Sequence, residues 1–168
     1  PEPVVLDVSR LAREVVDLAS KSGRATSDVR IVFTGEDGLA VKADAAQLRQ
    51  LIWNLVRNAV QASHAGGMVD VRVCESEGRI HLIVKDDGVG IDSKAKERLF
   101  DAFFTTRSHG TGIGLAVVKR IADDHGFVID VDSEQGAGAT FRVNLGSGVT
   151  LSAEVPIPAH PSSVLPPV

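Results

Sequence analysis

The chain of 168 residues has a single cysteine, Cys74. No internal disulfide framework can therefore hold it together, and one lone thiol suits a reducing compartment. No apolar run approaches the roughly 20 residues needed to cross a bilayer, and the first residues lack the pattern of a secretory signal. No basic patch stands out. The 18 Lys and Arg are interspersed with 22 Asp and Glu for a net charge of -4, which argues against a nucleic acid partner and against direct membrane contact. No internal repeat is visible. Together these absences point to one ordinary cytoplasmic domain, long enough to bury a proper core. Glycine, in contrast, is plentiful at 16 residues, and it is clustered.

One stretch, "IWNLVRNAVQA" at 52–62, combines the rhythm of a buried helix with two asparagines a turn apart. Leu48, Leu51, Ile52, Leu55, Val56 and Ala59 recur at the spacing of a single apolar face. Asp44 and Gln47 form a capping-box pair at the predicted start. Asn54 and Asn58 fall on one shoulder of the apolar arc, together with Gln47 and Gln61. Asn competes for its own backbone hydrogen bonds and is a mediocre helix former. The stripe is therefore either a polar margin meeting solvent or a row with a task.

Around this helix the pattern predicts a helix over about 7–22, strands at "VRIVFT" and "LAVKA" joined by a turn at Gly35 to Gly38, and strands at "MVDVRVCES" and "RIHLIVKDD" joined tightly at Glu77-Gly78. A short helix follows at "SKAKERLF", a loop at "FFTTRSHGTG", and a helix at "IGLAVVKRIADDHG" with Gly126 as its C-cap. Two closing strands, "FVIDVDS" and "ATFRVNL", flank "EQGAG". Hairpin links between neighbouring strands, alternating with helices, imply an α/β two-layer sandwich: one mixed sheet with helices on one face. Residues 1–146 form this unit. Residues 147–168 contain five of the seven prolines and have the composition of a tail or linker, with "VTLSAEV" a candidate for one more strand.

Three glycine clusters follow strands or open helices. "KDDGVGI" places Asp86 at the end of an apolar strand. A turn explains Gly88 but not a carboxylate there, because a buried carboxylate needs donors, such as the exocyclic amine of a base. "GTGIGL", 110–115, leaves backbone N–H groups uncovered at a helix start, which suits an anion. It is neither a Walker loop nor a dinucleotide fingerprint. "GAGATF", 136–141, has the form of a bulged hairpin.

Taken in order, "NLVRNA", "DDGVGI", "LFDAFFTTR", "GTGIGL" and "GAGATF" resemble the N, G1, F, G2 and G3 boxes of the histidine kinase ATP-binding domain. This family is related to gyrase, the Hsp90 chaperones and the MutL proteins. The resemblance covers about residues 3–146 and is closest to the short-lid, nitrogen-regulation type of sensor kinase. It implies a Bergerat-type ATP-binding fold, with ATP and Mg²⁺ as cofactors. By resemblance, Asn58 ligates Mg²⁺ and Asn54 lines the same face. Asp86 accepts from the adenine amine, and Gly88 and Gly90 make room beside Ile91. Gly110, Thr111, Gly112 and Gly114 wrap the phosphates ahead of Leu115. Phe100, Phe103 and Phe104 anchor the lid, and Arg107 stands where many relatives carry Lys, clamping the γ-phosphate. Gln61 replaces a Lys found in some relatives. Ala139 replaces the usual first Thr of the last box, leaving Thr140 beside it as the candidate nucleotide contact.

Position 54 separates kinase from hydrolase. The hydrolysing relatives carry Glu there to activate water, and an amide cannot act as a general base. The nucleophile must then come from elsewhere. In histidine kinases it is a histidine on a two-helix dimerisation domain, from which the phosphoryl group passes to a response regulator. None of His64, His81, His109, His125 and His160 sits in a phosphoacceptor setting, and each has the placement of a surface or helix-end histidine. The expectation is a catalytic unit of a bacterial two-component kinase that binds ATP and does not autophosphorylate alone. A serine kinase of the anti-sigma-factor type, an ATPase of the same superfamily and a nucleotide-gated binding module are the alternatives.

Overall fold

In the computed structural model, which describes residues 1–22, 28–101 and 114–150, the chain begins with a strand that its periodicity does not announce. This strand, β1 (Pro3–Asp7), pairs antiparallel with β3 (Ala40–Asp44), from Pro3 opposite Asp44 to Asp7 opposite Ala40. Asp7 then accepts from Arg10 N–H and caps α1 (Val8–Lys21), as the amphipathic pattern requires. The expected hairpin between β2 (Arg30–Gly35) and β3 does not form. β3 pairs with β1 instead: Val41 and Ala43 bury one face, and the other runs from buried Ala40 to exposed Lys42. The turn is instead tied to the start of α1, through Val8 N–H to Leu39 O at 2.9 Å and Ser9 Oγ–H to Glu36 O at 2.6 Å.

β2 joins the main sheet, whose five strands run in the order β2, β4 (Met68–Ser76), β5 (Arg79–Asp86), β7 (Ala139–Ser147), β6 (Val128–Ser133). It lies parallel to β4, Arg30 opposite Met68. A parallel pair needs a crossover of a dozen or more residues; here β3 and α2 (Ala45–Ala62) provide it. The other neighbours are antiparallel. β4 and β5 turn at Glu77 and Gly78, whose φ values of 54° and 75° are those of a tight hairpin. β6 and β7 form the closing hairpin. The sheet is mixed, as expected, but its links are not all hairpins.

The inner face of the sheet is a run of alternate residues: Val69, Val71 and Val73; Ile80, Leu82 and Val84; Phe141, Val143 and Leu145. Against it lie Leu48, Leu51, Ile52, Leu55 and Val56 of α2, all fully buried. Each such side chain contributes on the order of 1.5–3 kcal/mol when removed from water. α1 packs on β2 and β4; after the short α3 (Ser93–Glu97), capped by Asp92, α4 (Gly114–His125) packs on α2 and β6. The outer face carries a cavity of about 510 Å³ lined by charged residues, including Asp70, Arg72, Lys85 and Arg142. Among the described residues, helices cover one face only. No described helix is both long and apolar enough to cross a membrane.

Candidate functional site

The site grows from the middle of α2. Asp44 caps the helix, its Oδ1 accepting Gln47 N–H at 3.0 Å. With that start fixed, the apolar stripe faces the sheet and the amide stripe turns to its edge. Asn54 and Asn58 are half-buried there, and Gln61 is exposed. α4 begins beside them: a Cβ built on Gly114 would lie 3.9 Å from Asn54 Oδ1. The structure thus brings the asparagine row to the open end of α4, where backbone N–H groups have no partner within the helix. Leu115, next in α4, packs half-buried on the core.

Asp86 ends β5 and is only 2% exposed, between Val69 of β4 and Ala139 of β7. Its Oδ1 accepts Gly88 N–H at 3.0 Å. A carboxylate this deeply buried is costly unless donors reach it.

The loop after Asp86 is clamped from two sides. Val89 N–H donates to Ala62 O at the end of α2, and Gly136 N–H of the β6–β7 turn donates to Val89 O at 2.7 Å. Ile91, half-buried, donates its N–H to Ser133 Oγ, which donates in turn to Gly138 O. A Cβ on Gly88 would lie 1.9 Å from Ala62 O, and one on Gly90 would lie 1.9 Å from Glu134 O. The room these two glycines leave is filled by the protein's own backbone. They let helix end, loop and turn close on one another, a task that the reading of room for a ligand does not include.

Thr140 departs from the expected constellation. It pairs with Lys85 and Asp132 and lines the outer-face cavity with Arg142. Alternation along β7 gives the inner face, on the side of Asp86, to Ala139 instead. Phe100 packs half-buried on the core. Phe103, Phe104, Arg107, His109, Gly110, Thr111 and Gly112 lie outside the described residues.

Sequence reasoning misses Ser133 and the wider role of Asp44. Ser133 links the two glycine loops, and no motif marks it. Asp44 is a hub: besides Gln47 it accepts Glu2 N–H through Oδ2 at 2.7 Å. These bonds, that from Glu2 first, hold its carboxyl below the ordinary value of 3.8. The backbone N–H of Asp44 donates to Nε2 of His125, 81 residues away. The predicted capping box is therefore only half formed within α2.

Similarity to known proteins agrees with this geometry. Residues 43–148 match the model of the family described as histidine kinase-, DNA gyrase B-, and HSP90-like ATPase. The sensor histidine kinase ZraS of Escherichia coli is 35% identical over 146 residues, covering 86% of this chain and 31% of ZraS. Sporulation kinase A of Bacillus subtilis is 39% identical over 109 residues, covering 65% of this chain and 18% of that kinase. The chain thus spans a third or less of the length of these two relatives. Among solved structures, the catalytic domain of histidine kinase ThkA superposes with a TM-score of 0.77 at 28% identity, covering 88% of this chain and 97% of that one. Full-length ShkA in complex with AMPPNP gives 0.76 at 28% identity, covering 89% of this chain and 32% of ShkA. With the helix, the buried carboxylate and the glycine-bearing loops in the places described, the chain belongs to the histidine kinase-, DNA gyrase B-, and HSP90-like ATPase family.

Proposed function

We propose that this chain binds Mg-ATP and donates the γ-phosphoryl group to a histidine on a separate dimerisation domain, as the cytoplasmic catalytic unit of a two-component sensor kinase with a response regulator downstream. The observation that carries the reading is the buried carboxylate of Asp86 at the strand end, an acceptor suited to the exocyclic amine of adenine. ShkA, a structural neighbour, was solved with the ATP analogue AMPPNP, and ZraS and sporulation kinase A are named as kinases. Residues 1–146 form the ATP-binding unit. Residues 147–168 lead out of it as a tail or linker whose first part is held by Val149 N–H to Ala40 O at 2.8 Å.

The donor set fits the cofactors. Asn58 offers a neutral oxygen, and Mg²⁺ commonly takes one or two protein oxygens and completes its shell with phosphate and water. When bound, Mg-ATP supplies the phosphoryl group and the charge that screens it. Asp86 selects the base. Gly88 and Gly90 shape the loop that holds Asp86 in place, with Ile91 packed behind it. Gly114, with Gly110, Thr111 and Gly112 of the preceding segment, presents backbone N–H groups to the phosphates. Arg107 neutralises the γ-phosphate, and Phe103 anchors the short lid. Asn54 lines the phosphate end without acting as a base, so water is not activated there and the incoming histidine has the only competent nucleophile.

Calorimetry with Mg-ATP followed by a turnover assay tests this. Wild type should bind and release almost no phosphate, and should phosphorylate a supplied dimerisation domain of its own kinase. Asp86→Asn should lose binding with the fold intact by circular dichroism. Unchanged ATP affinity in Asp86→Asn would remove the assignment of the base site, and sustained turnover by the chain alone would move it to the hydrolases.

A further inference from the structure

The two helices that frame the site run antiparallel. Gly114 at the start of α4 abuts Asn54, and His125 at its end reaches the N-cap of α2. α4 has 12 residues, a span of about 18 Å at 1.5 Å per residue. Its axial position on α2 therefore sets where Gly114 stands relative to the asparagines. Apolar packing alone fixes such a position weakly, because it is non-directional. A directional bond at the far end adds to that packing, and His125 makes it.

Both ring nitrogens of His125 are engaged. Nε2 lies 3.1 Å from Asp44 N, which can only donate, so Nε2 is the acceptor. Nδ1 then carries the hydrogen and gives it to Ile121 O at 2.8 Å, one turn back in α4. The ring also stacks on Phe127, centroids 5.1 Å apart and 22° between planes. The imidazole is thus a fixed spacer between the last turn of α4 and the first residue of the α2 cap. The competing arrangement is local. Gln47 stands at the position from which a capping-box side chain accepts the N-cap N–H, yet its Oε1 is buried with no hydrogen-bond partner among the described residues. The single N–H of Asp44 goes to the tertiary acceptor although a local one is at hand. The cap of α2 therefore has a local alternative in Gln47, whereas this bond to α4 depends on His125.

We propose that His125 is a positioning residue that fixes the register of α4 on α2, and through it the placement of Gly114 against Asn54. Its effect on nucleotide affinity rests on the ATP-binding reading above; its effect on register does not. Without the tether, α4 samples other registers and the binding-competent fraction falls, weakening apparent affinity in proportion.

The test uses His125→Phe, which keeps a ring on Phe127 but has neither nitrogen, and Gln47→Ala as the control at the same helix end. Register is read without nucleotide from the NMR signals of the Asn54 side-chain amide and the Gly114 backbone amide; affinity is read by calorimetry with Mg-ATP. His125→Phe should move both signals and weaken binding about tenfold, the equivalent of one net hydrogen bond. His125→Gln, which keeps an acceptor for Asp44 N–H, should fall between it and wild type. Gln47→Ala should leave signals and affinity in place. If Phe does not fit, His125→Ala gives the same comparison. Unmoved Asn54 and Gly114 signals in the His125 variant, or equal movement in Gln47→Ala, would overturn the proposal whatever the loss of stability. A wild-type chain that fails to bind ATP would refute the functional reading alone, because the two NMR signals would still decide the register.

Discussion

Adding one methyl group to the β5 loop tests how tightly the site is closed. Gly90 has φ +69°, and a Cβ there would lie 1.9 Å from Glu134 O and 2.8 Å from Glu134 C. Gly136, in the turn facing it, has φ +85° with nothing within 4 Å of the same position. The two glycines share the left-handed backbone and differ in the space beside it. Gly136→Ala should therefore cost about 1 kcal/mol, the left-handed penalty alone. Gly90→Ala carries that penalty plus an overlap with backbone, which cannot rotate away as a side chain would, for a further 1–3 kcal/mol or so. In a chain of this size each kcal/mol lowers the melting temperature by roughly 2–4 °C, so the variants should melt well apart. Urea denaturation with an unchanged slope would show that stability has changed and the compactness of the two states has not. If Gly90→Ala costs no more than Gly136→Ala, the contact between the loop and the β6–β7 turn is not as close as described, and the argument that these glycines serve backbone packing fails.

Other consequences are as direct. Asn58→Ala should make ATP binding insensitive to Mg²⁺; a wild type that binds equally well in a chelator would refute the metal role of Asn58. Thr140→Val should leave ATP affinity unchanged by calorimetry, since Thr140 faces the outer cavity. The Asp44 carboxyl is held below its ordinary value of 3.8 by the N–H groups of Glu2 and Gln47, so its stabilising contribution is complete above that ordinary value and is lost as pH falls through the lower folded one. Asp44→Asn should accordingly flatten the acid limb of a stability–pH curve; an unaltered limb would show that Asp44 does not contribute to it.

Much of this arrangement is written locally. The α2 stripe, its Asp44 cap, the Glu77-Gly78 turn and the two closing strands each follow from a period or a turn residue within a few positions of one another. Asp86 is conspicuous for the same reason: a carboxylate that completes an apolar alternation must be buried with it. The boxes that mark the family are likewise short and ordered along the chain. What periodicity encodes is that a face is buried, not what covers it. β1 and β3 are joined by pairing across α1 and β2, and nothing in residues 3–7 or 40–44 names the partner. β2 lies beside β4 because a crossover returns the chain there, while β3 pairs with β1 instead. Thr140 and Ala139 exchange roles with a one-residue change of register, which is set by pairing with β5. The N–H of Asp44 had a local acceptor in Gln47 and found His125 instead. The sequence by itself determined the elements after β1, the buried acid and the family. Only the tertiary structure decided which groups meet, because strand partners and the acceptor of a shared donor are settled by contacts between residues far apart in the chain.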